Sequence, residues 1–366
     1  MPRRRENEWR NAVALRRTSP SFGRGRALRL RATLLAALTV TCSKSHEPPA
    51  LGPRNAHAMA YDAARGRVTL FGGADERSVR GDTWGWDGKR WQQLATEGPA
   101  PRTFPVMAYD SAQARVLLFG GNRVLFGTDP AAPTLLRDLW AWDGRKWIEL
   151  SDGTGGPSAR AEACGGYDEE RHRFVVFGGY EKVGKTLTRL GDTWEWDGTA
   201  WGRVADTGPP ARSGAAMSFV PALAGRPAGV VLFGGSTGTP PPPGDTWHWD
   251  GQHWTLLPVG ASAGRFNPVM AYDAARATLL RFGGFVGGTR VDELWQLRGD
   301  VWTLLRDRGP DGRNHSAWAY DGNSRRIVLY GGHDGDHVFA DTWTWDGTSW
   351  NRATERPPVT RVDNGH

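Results

Sequence analysis

Short apolar runs recur along the chain about every fifty residues. Five are continuous: Val68–Phe71 (VTLF), Val116–Phe119 (VLLF), Phe174–Phe177 (FVVF), Val230–Phe233 (VVLF) and Ile327–Tyr330 (IVLY). Runs this short, rich in β-branched and aromatic residues and closed by glycine, suit strands buried on both faces. Each is followed by a stretch that alternates, as in Thr83-Trp84-Gly85-Trp86. Alternation puts Trp84 and Trp86 on one face of a strand and Thr83 and Gly85 on the other. In the first unit this predicts strand A at His57–Tyr61, strand B at Val68–Phe71, strand C at Thr83–Trp86 and strand D at Trp91–Leu94. The turn DAARG (Asp62–Gly66) joins A to B, and Asp87–Gly88, suited to a tight hairpin, joins C to D.

The third and fourth strands belong to a stretch that returns almost unchanged. DTWGWDGKRW at Asp82 reappears as DLWAWDGRKW at Asp138, DTWEWDGTAW at Asp192, DTWHWDGQHW at Asp245 and DTWTWDGTSW at Asp341, with a worn copy, DELWQLRGDVW, starting at Asp292. The outer tryptophans are always seven residues apart, and 17 of the 19 Trp lie in these stretches. Each unit opens on an arginine (Arg54, Arg102, Arg160, Arg212, Arg265, Arg313). An aromatic follows seven residues later (Tyr61, Tyr109, Tyr167, Phe219, Tyr272, Tyr320), and then a glycine pair, from Gly72–Gly73 to Gly331–Gly332. The fourth unit carries a four-residue insertion between Phe219 and Gly234.

Six units of four strands, each covered on both faces, need a neighbour on either side, and radial packing into a closed ring supplies both. Large aromatics, burying roughly 150–250 Å² each, suit the wedge between blades. The expected fold is therefore all-β, a six-bladed β-propeller of four-stranded antiparallel blades. A glycine pair, an aromatic, six residues and then Trp is the kelch signature, and the unit length agrees. Over about Pro53–Arg352 the chain resembles the kelch-repeat propellers, including the central domain of galactose-oxidase-like proteins, with Trp84 and its five counterparts where kelch units usually have Tyr. The blades are expected at about 53–95, 101–151, 159–205, 211–258, 264–306 and 312–353, within a domain spanning 51–356 and followed by a tail at 357–366. Arg361 stands where a seventh unit would begin, so either that tail is a vestige or Thr360–Asp363 pairs at the seam.

The 49 Gly and 24 Pro are dispersed among apolar runs and match many turns. The formal charge is +7, but eleven of the 46 Lys and Arg lie in residues 1–50 against Glu6, Glu8 and Glu47. The remaining 35 basic groups face 36 acidic ones, so the repeat body offers no electrostatic footprint for nucleic acid. In residues 1–50, arginines at 24, 26, 29 and 31 precede the apolar run Ala32–Thr41, which is too short to span a bilayer and ends at Cys42. This resembles a bacterial lipoprotein leader, with Leu38 one place early and Thr39 in the usual leucine position; it implies export, to the periplasm or the cell surface, and lipidation at Cys42. The alternative is a cytoplasmic protein with a disordered basic arm. Membrane attachment is expected only through Cys42. With Cys164 inside a repeat, no structural disulfide is expected.

Length variation concentrates between the glycine pair and the next Asp, with eight residues in unit 1, sixteen in unit 2 and twelve in unit 3. These B–C loops share a face with the D–A connections, and variable loops on a rigid ring are where binding function is expected. They carry the binding candidates Arg77, Arg80, Arg123, Lys182, Lys185, Arg189 and Arg290, against the bland alternative of solvated charge. His57 and His315, just after their unit-initial arginines, should line the axial channel. His333, Asp334, Asp336 and His337 (HDGDH) form a candidate metal cluster, although Asp-Gly-Asp is also ordinary turn chemistry. The six arginines recur, so they are expected to be architectural, pairing with Asp82 and its counterparts or with carbonyls. Cys164 cannot be surrounded by the ligand set of a galactose-oxidase copper centre and is expected to fill core space. No cofactor is expected. The sequence favours a non-enzymatic, monomeric binding or scaffold propeller that presents its B–C and D–A face to a protein or glycan. The alternative is a sugar-modifying enzyme, sialic-acid-mutarotase-like or oxidase-like, acting in the axial channel. An enzyme should have a deep axial pocket lined by asymmetric His, Arg and Glu with perturbed pKa values; a binding module should have a shallow face.

Overall fold

The computed structural model describes residues 50–125, 133–184, 186–222, 225–260, 262–305 and 309–353. The leader with Cys42, the loop residue Lys185 and the tail at 357–366 lie outside them. The described residues form a six-bladed β-propeller without helices, each blade a four-stranded antiparallel sheet drawn from one continuous segment in the order A-B-C-D.

The innermost A strands are Ala58–Asp62, Val106–Asp110, Cys164–Asp168, Ala216–Val220, Val269–Asp273 and Ala317–Asp321. Each adjoins the A strands of the blades before and after it, and the last adjoins the first. The B strands are buried throughout, as their unbroken apolar runs require, while the outermost D strands are largely exposed. In blade 1, Leu70 pairs with Trp84 and Val68 with Trp86, so both tryptophans of strand C lie in the apolar layer facing blade 6.

The wedges between blades are filled by one repeated contact. The aromatic ending strand B packs edge-on against the first tryptophan of strand D in the following blade. Phe71 meets Trp147 at 5.2 Å between ring centroids, Phe177 meets Trp254 at 5.4 Å and Phe282 meets Trp350 at 5.3 Å. Tyr330 and Trp91 make the same contact across the seam, at 5.3 Å. There too Trp91 donates to Thr342 Oγ1, and Tyr61 Oη accepts from the Asn323 amide. Thus the ring closes with the contacts used elsewhere, between two blades that already hold four strands each.

Three of the six B–C segments are more than loops. Strands B and C of blade 2 are lengthened to Arg115–Asn122 and Leu135–Trp142. Blade 3 raises a separate hairpin, Tyr180–Val183 with Thr186–Arg189, and blade 5 a shorter one, Phe285–Val286 with Thr289–Arg290. Length marks the segments of blades 2 and 3 in the sequence, whereas that of blade 5 is the shortest of the six.

Candidate functional site

Two classes of residue meet at the end of the ring where chain enters strand A and leaves strand B. The first is scaffold. Arg102, with a fully buried side chain, donates to the Gly120 carbonyl at 3.0 Å and in bidentate fashion to Asp138 at 2.7 and 2.8 Å, while Trp140 Nε1 donates to the same carboxylate at 2.7 Å. The same set recurs as Arg54–Asp82–Trp84, Arg160–Asp192–Trp194, Arg212–Asp245–Trp247 and Arg313–Asp341–Trp343. Burial by itself would raise these carboxyls. The arginine and indole hydrogen bonds outweigh it and hold each aspartate below its ordinary pKa. In blade 5 the partner of Arg265 and Trp295 is Glu293, not Asp292, because what is fixed is the two-residue spacing to the tryptophan. With both faces of the guanidinium fork engaged, the six arginines are not available to a ligand.

The second class lies two residues after each arginine. Ala56, Phe104, Glu162, Gly214, Asn267 and His315 occupy equivalent places around the axis, all with φ between +52° and +62°. For five of them this left-handed conformation costs on the order of 1 kcal/mol or more. Backbone hydrogen bonds from blade to blade hold it: Ala56 N to His315 O and Phe104 N to Ala56 O at 2.7 Å, Gly214 N to Glu162 O and Asn267 N to Gly214 O at 2.8 Å. At Gly214 a Cβ would sit 2.4 Å from the Phe266 ring and 2.5 Å from Asn267 Oδ1, so the absence of a side chain there makes room for its neighbours.

These six residues and the ones that follow them line a cavity of about 120 Å³ on the axis. Glu162 is 93 % buried, since its relative exposure is 7 %. Ser213 Oγ donates to its Oε2 at 2.9 Å. Burial pushes the carboxyl up to about 7, against the opposing effects of Ser213, the Arg189 charge and the Asn267 amide. Three blades away, and so across the axis, His315 Nδ1 shares a 3.0 Å hydrogen bond with His333 Nε2, and the Phe104 ring stands edge-on to it at 4.9 Å. Desolvation, the neighbouring imidazole and Arg290 lower His315 to about 3, and desolvation with Arg290 lowers His333 to about 4. His57, 5 % exposed, also lines the cavity; its ring nitrogens make no hydrogen bond of ordinary geometry, and burial with the Arg54 charge lowers it to about 3 against the opposing effect of the Tyr330 backbone. Asn122 Oδ1 and Arg189 Nε are likewise buried without a hydrogen-bond partner, and Asn267 Nδ2, whose amide bears on the Glu162 carboxyl, makes no hydrogen bond of ordinary geometry.

The other candidates from the sequence are dispersed around this cavity. Arg80 pairs with Asp75, whose Oδ1 also accepts from the Arg77 and Ser78 amides in a tight turn. Arg123 follows the lengthened strand B of blade 2, and its amide donates to Thr134 O. Lys182 stands in the blade 3 hairpin, whose Val183 is 76 % exposed. Arg189 and Arg290 end the two hairpins and reach over glycines of the following blade, Gly238 and Gly335. Arg290 Nε also donates to Asn314 Oδ1 at 3.3 Å.

The HDGDH stretch does not converge on a metal. His333 turns inward to His315, and Asp334 caps its own turn by accepting from the Asp336 and His337 amides. Among the described residues no group of three or more His, Cys, Asp or Glu side chains is disposed to hold an ion. Cys164 is buried in the core of blade 3, its thiol raised to about 12 by burial.

Sequence reasoning missed Glu162, Asn267, Phe104 and Ser213. It also treated His57 and His315 as alike, although they stand three and two residues after their arginines. Aligning the units on the arginine and reading down the second column would have exposed the set. No protein-family model matches the chain, and no curated protein is detectably similar to it.

Proposed function

We propose that this chain is a kelch-type binding propeller whose B–C and D–A face receives a protein or glycan, with recognition centred on the axial cavity. One observation carries this. Positions that build the ring repeat nearly the same residue in every blade, whereas Ala56, Phe104, Glu162, Gly214, Asn267 and His315 share one constrained backbone and have six different side chains. A symmetric scaffold whose equivalent positions differ in every blade around a cavity is organised for an asymmetric ligand. The hairpins of blades 3 and 5 supply a rim that reaches beyond the cavity. The decisive experiment displays glycans and peptides to the full chain and to Asn267→Gly, which removes the side chain and relieves the left-handed backbone. Binders that lose affinity in the variant support the axial site; a set of binders indifferent to it sinks the proposal.

A second use of the same cavity, acid–base chemistry on a bound sugar, is favoured by a single arrangement. A carboxyl with a pKa near 7 and a neutral imidazole pair face one another across the axis. Turnover of a reducing sugar that vanishes in both Glu162→Gln and His315→Asn would decide for it. Turnover unaffected by either change would exclude it. Export, with lipidation at Cys42, remains part of the proposal; an intact Met1 in the mature protein, read by mass spectrometry, would refute export, and an unmodified Cys42 would refute the anchor.

A further inference from the structure

The polar atoms left without partners around the axis make conflicting demands. Asn267 Nδ2 bears on the Glu162 carboxyl without a hydrogen bond of ordinary geometry and needs an acceptor. Neutral His57 carries one ring N–H, for which the Tyr330 backbone carbonyl is the acceptor on hand, and one lone pair that needs a donor. Glu162 donates when protonated and accepts when ionised, with Ser213 on one oxygen in either case. Buried groups of this kind are seldom left unsatisfied, so a ligand or ordered water is expected to meet them. The space is small. A cavity of about 120 Å³ falls a little short of the roughly 150 Å³ that admits a benzene ring. It therefore takes a group of a few heavy atoms rather than a whole ring.

Charge is poorly matched to the site. The wall includes Glu162, His57 and His315, with Asn267 and Phe104 between them and Ser213 bonded to Glu162. The nearest permanent charges stand behind that wall. Arg54 is committed to Asp82 and Gly72, Arg290 reaches Asn314 and lies over Gly335, and Arg189 lies over Gly238. A hydroxyl, like an amide or a water molecule, can donate to one neighbour and accept from another, but it does so with a single heavy atom fixed to a ligand, and adjacent hydroxyls meet several such demands in little space.

Building on the axial-site proposal, we infer that the cavity takes the vicinal-diol edge of an uncharged sugar or polyol, with Glu162, Asn267 and His57 sharing its hydroxyls and Phe104 covering its carbon edge. A diol can bind either ionisation state of Glu162, so its affinity should be nearly flat through neutrality. A carboxylate ligand would weaken as pH rises and Glu162 ionises, and an amine would strengthen.

The test is an NMR-detected titration of the full chain with methyl glucoside, methyl glucuronide and a methyl glucosaminide, at pH about 6 and about 8. The expected result is that methyl glucoside binds best of the three at both pH values, with affinities agreeing to within about threefold. Asn267→Gly should weaken it about tenfold, as loss of a buried hydrogen bond does. Preference for the glucuronide or glucosaminide by about tenfold or more overturns the ligand class; if that binding is lost in Asn267→Gly, the axial site itself stands. If none of the three binds, the diol inference also fails, while the glycan and peptide display against Asn267→Gly still judges the axial site independently.

Discussion

Trp147 of blade 2 donates its indole N–H to Thr83 Oγ1 of blade 1 at 2.8 Å, and through that bond the two ends of the repeated DTW…W stretch hold neighbouring blades together. Trp254 with Thr193, Trp302 with Thr246 and Trp91 with Thr342 repeat it at 2.8, 3.1 and 2.9 Å. The threonine of one copy thus serves the last tryptophan of the next. Blade 2 has Leu139 at the threonine position, and Trp201 Nε1 is buried without a partner in consequence.

Thr83→Val should therefore destabilise the propeller by about 1–3 kcal/mol, because it keeps the shape of the side chain and orphans a buried donor. Leu139→Thr should cost less than an ordinary core truncation, since the new hydroxyl reaches an indole that lacks one. Urea unfolding of both variants checks the pair. Equal losses would mean that packing alone sets the value of this position.

The buried arginine forks should be costlier to break. Asp138→Ala strands the fully buried Arg102 side chain and should cost about 3–5 kcal/mol. In blade 5 the Glu293 side chain is 37 % exposed, and water can take over part of its role. Glu293→Ala is accordingly expected to cost about 1–2 kcal/mol. Chemical denaturation measures both, and a loss at Asp138 no larger than at Glu293 would contradict the burial argument.

Much of this architecture was legible because it is periodic. Strand C of blade 1 falls where the alternation puts it, at Thr83–Trp86, and the pairing of each unit-initial arginine with a carboxylate follows from their common recurrence. Glu293 was obscured because the eye anchors on Asp292, whereas the chemistry is measured back from Trp295. The hairpin at Tyr180–Arg189 was hidden because its outer positions are polar, with no buried face to impose a period-two signal. Glu162 and Asn267 were hidden for the opposite reason. They stand outside the strands at a position whose backbone is constant and whose residue type is free, so no residue pattern marks it. HDGDH misled because His333 faces the axis while Asp334 serves its own turn, and adjacency in sequence conceals that divergence.

Arg281 is the one charged residue in the middle of a B strand, where the other blades have Leu70, Leu118, Val176, Leu232 and Leu329. It is 1 % exposed, and none of its three guanidinium nitrogens is hydrogen-bonded. Its charge lies over the faces of Phe233, Trp302 and Trp295, at 4.1, 4.7 and 4.8 Å, with the Glu293 carboxylate acting on it from beyond hydrogen-bond distance. Such contacts are worth about 2 kcal/mol when desolvated, less than the several kcal/mol that removing a cation from water costs. Arg281→Leu should raise stability by about 1–4 kcal/mol, visible as a higher midpoint in urea. A destabilised variant would show that the guanidinium has a role the aromatic contacts do not account for.

The axial residues should set the pH dependence of stability, with opposite signs. Glu162 has its folded pKa raised from 4.5 to about 7, so it favours the folded state fully below its unfolded pKa and loses that contribution as pH rises through about 7. The difference corresponds to roughly 3 kcal/mol. His57 and His315 have folded values near 3 against 6.5 unfolded, so they penalise folding as pH falls below 6.5, where the unfolded chain binds the protons first. The two windows overlap between pH 4.5 and 6.5, where the two histidines outweigh the one carboxyl, so stability should rise to about pH 6.5 and decline slightly from there to about 7. Glu162→Gln keeps the acceptor for Ser213 and removes the titration, so it should abolish the decline above about pH 6.5 and steepen the rise below it. His57→Gln should flatten that rise and leave the decline in place. Melting curves from pH about 5 to about 9 separate the two. A decline that survives Glu162→Gln would mean that the carboxyl is ionised and solvated in the folded protein, and that the cavity is wetter than its burial implies.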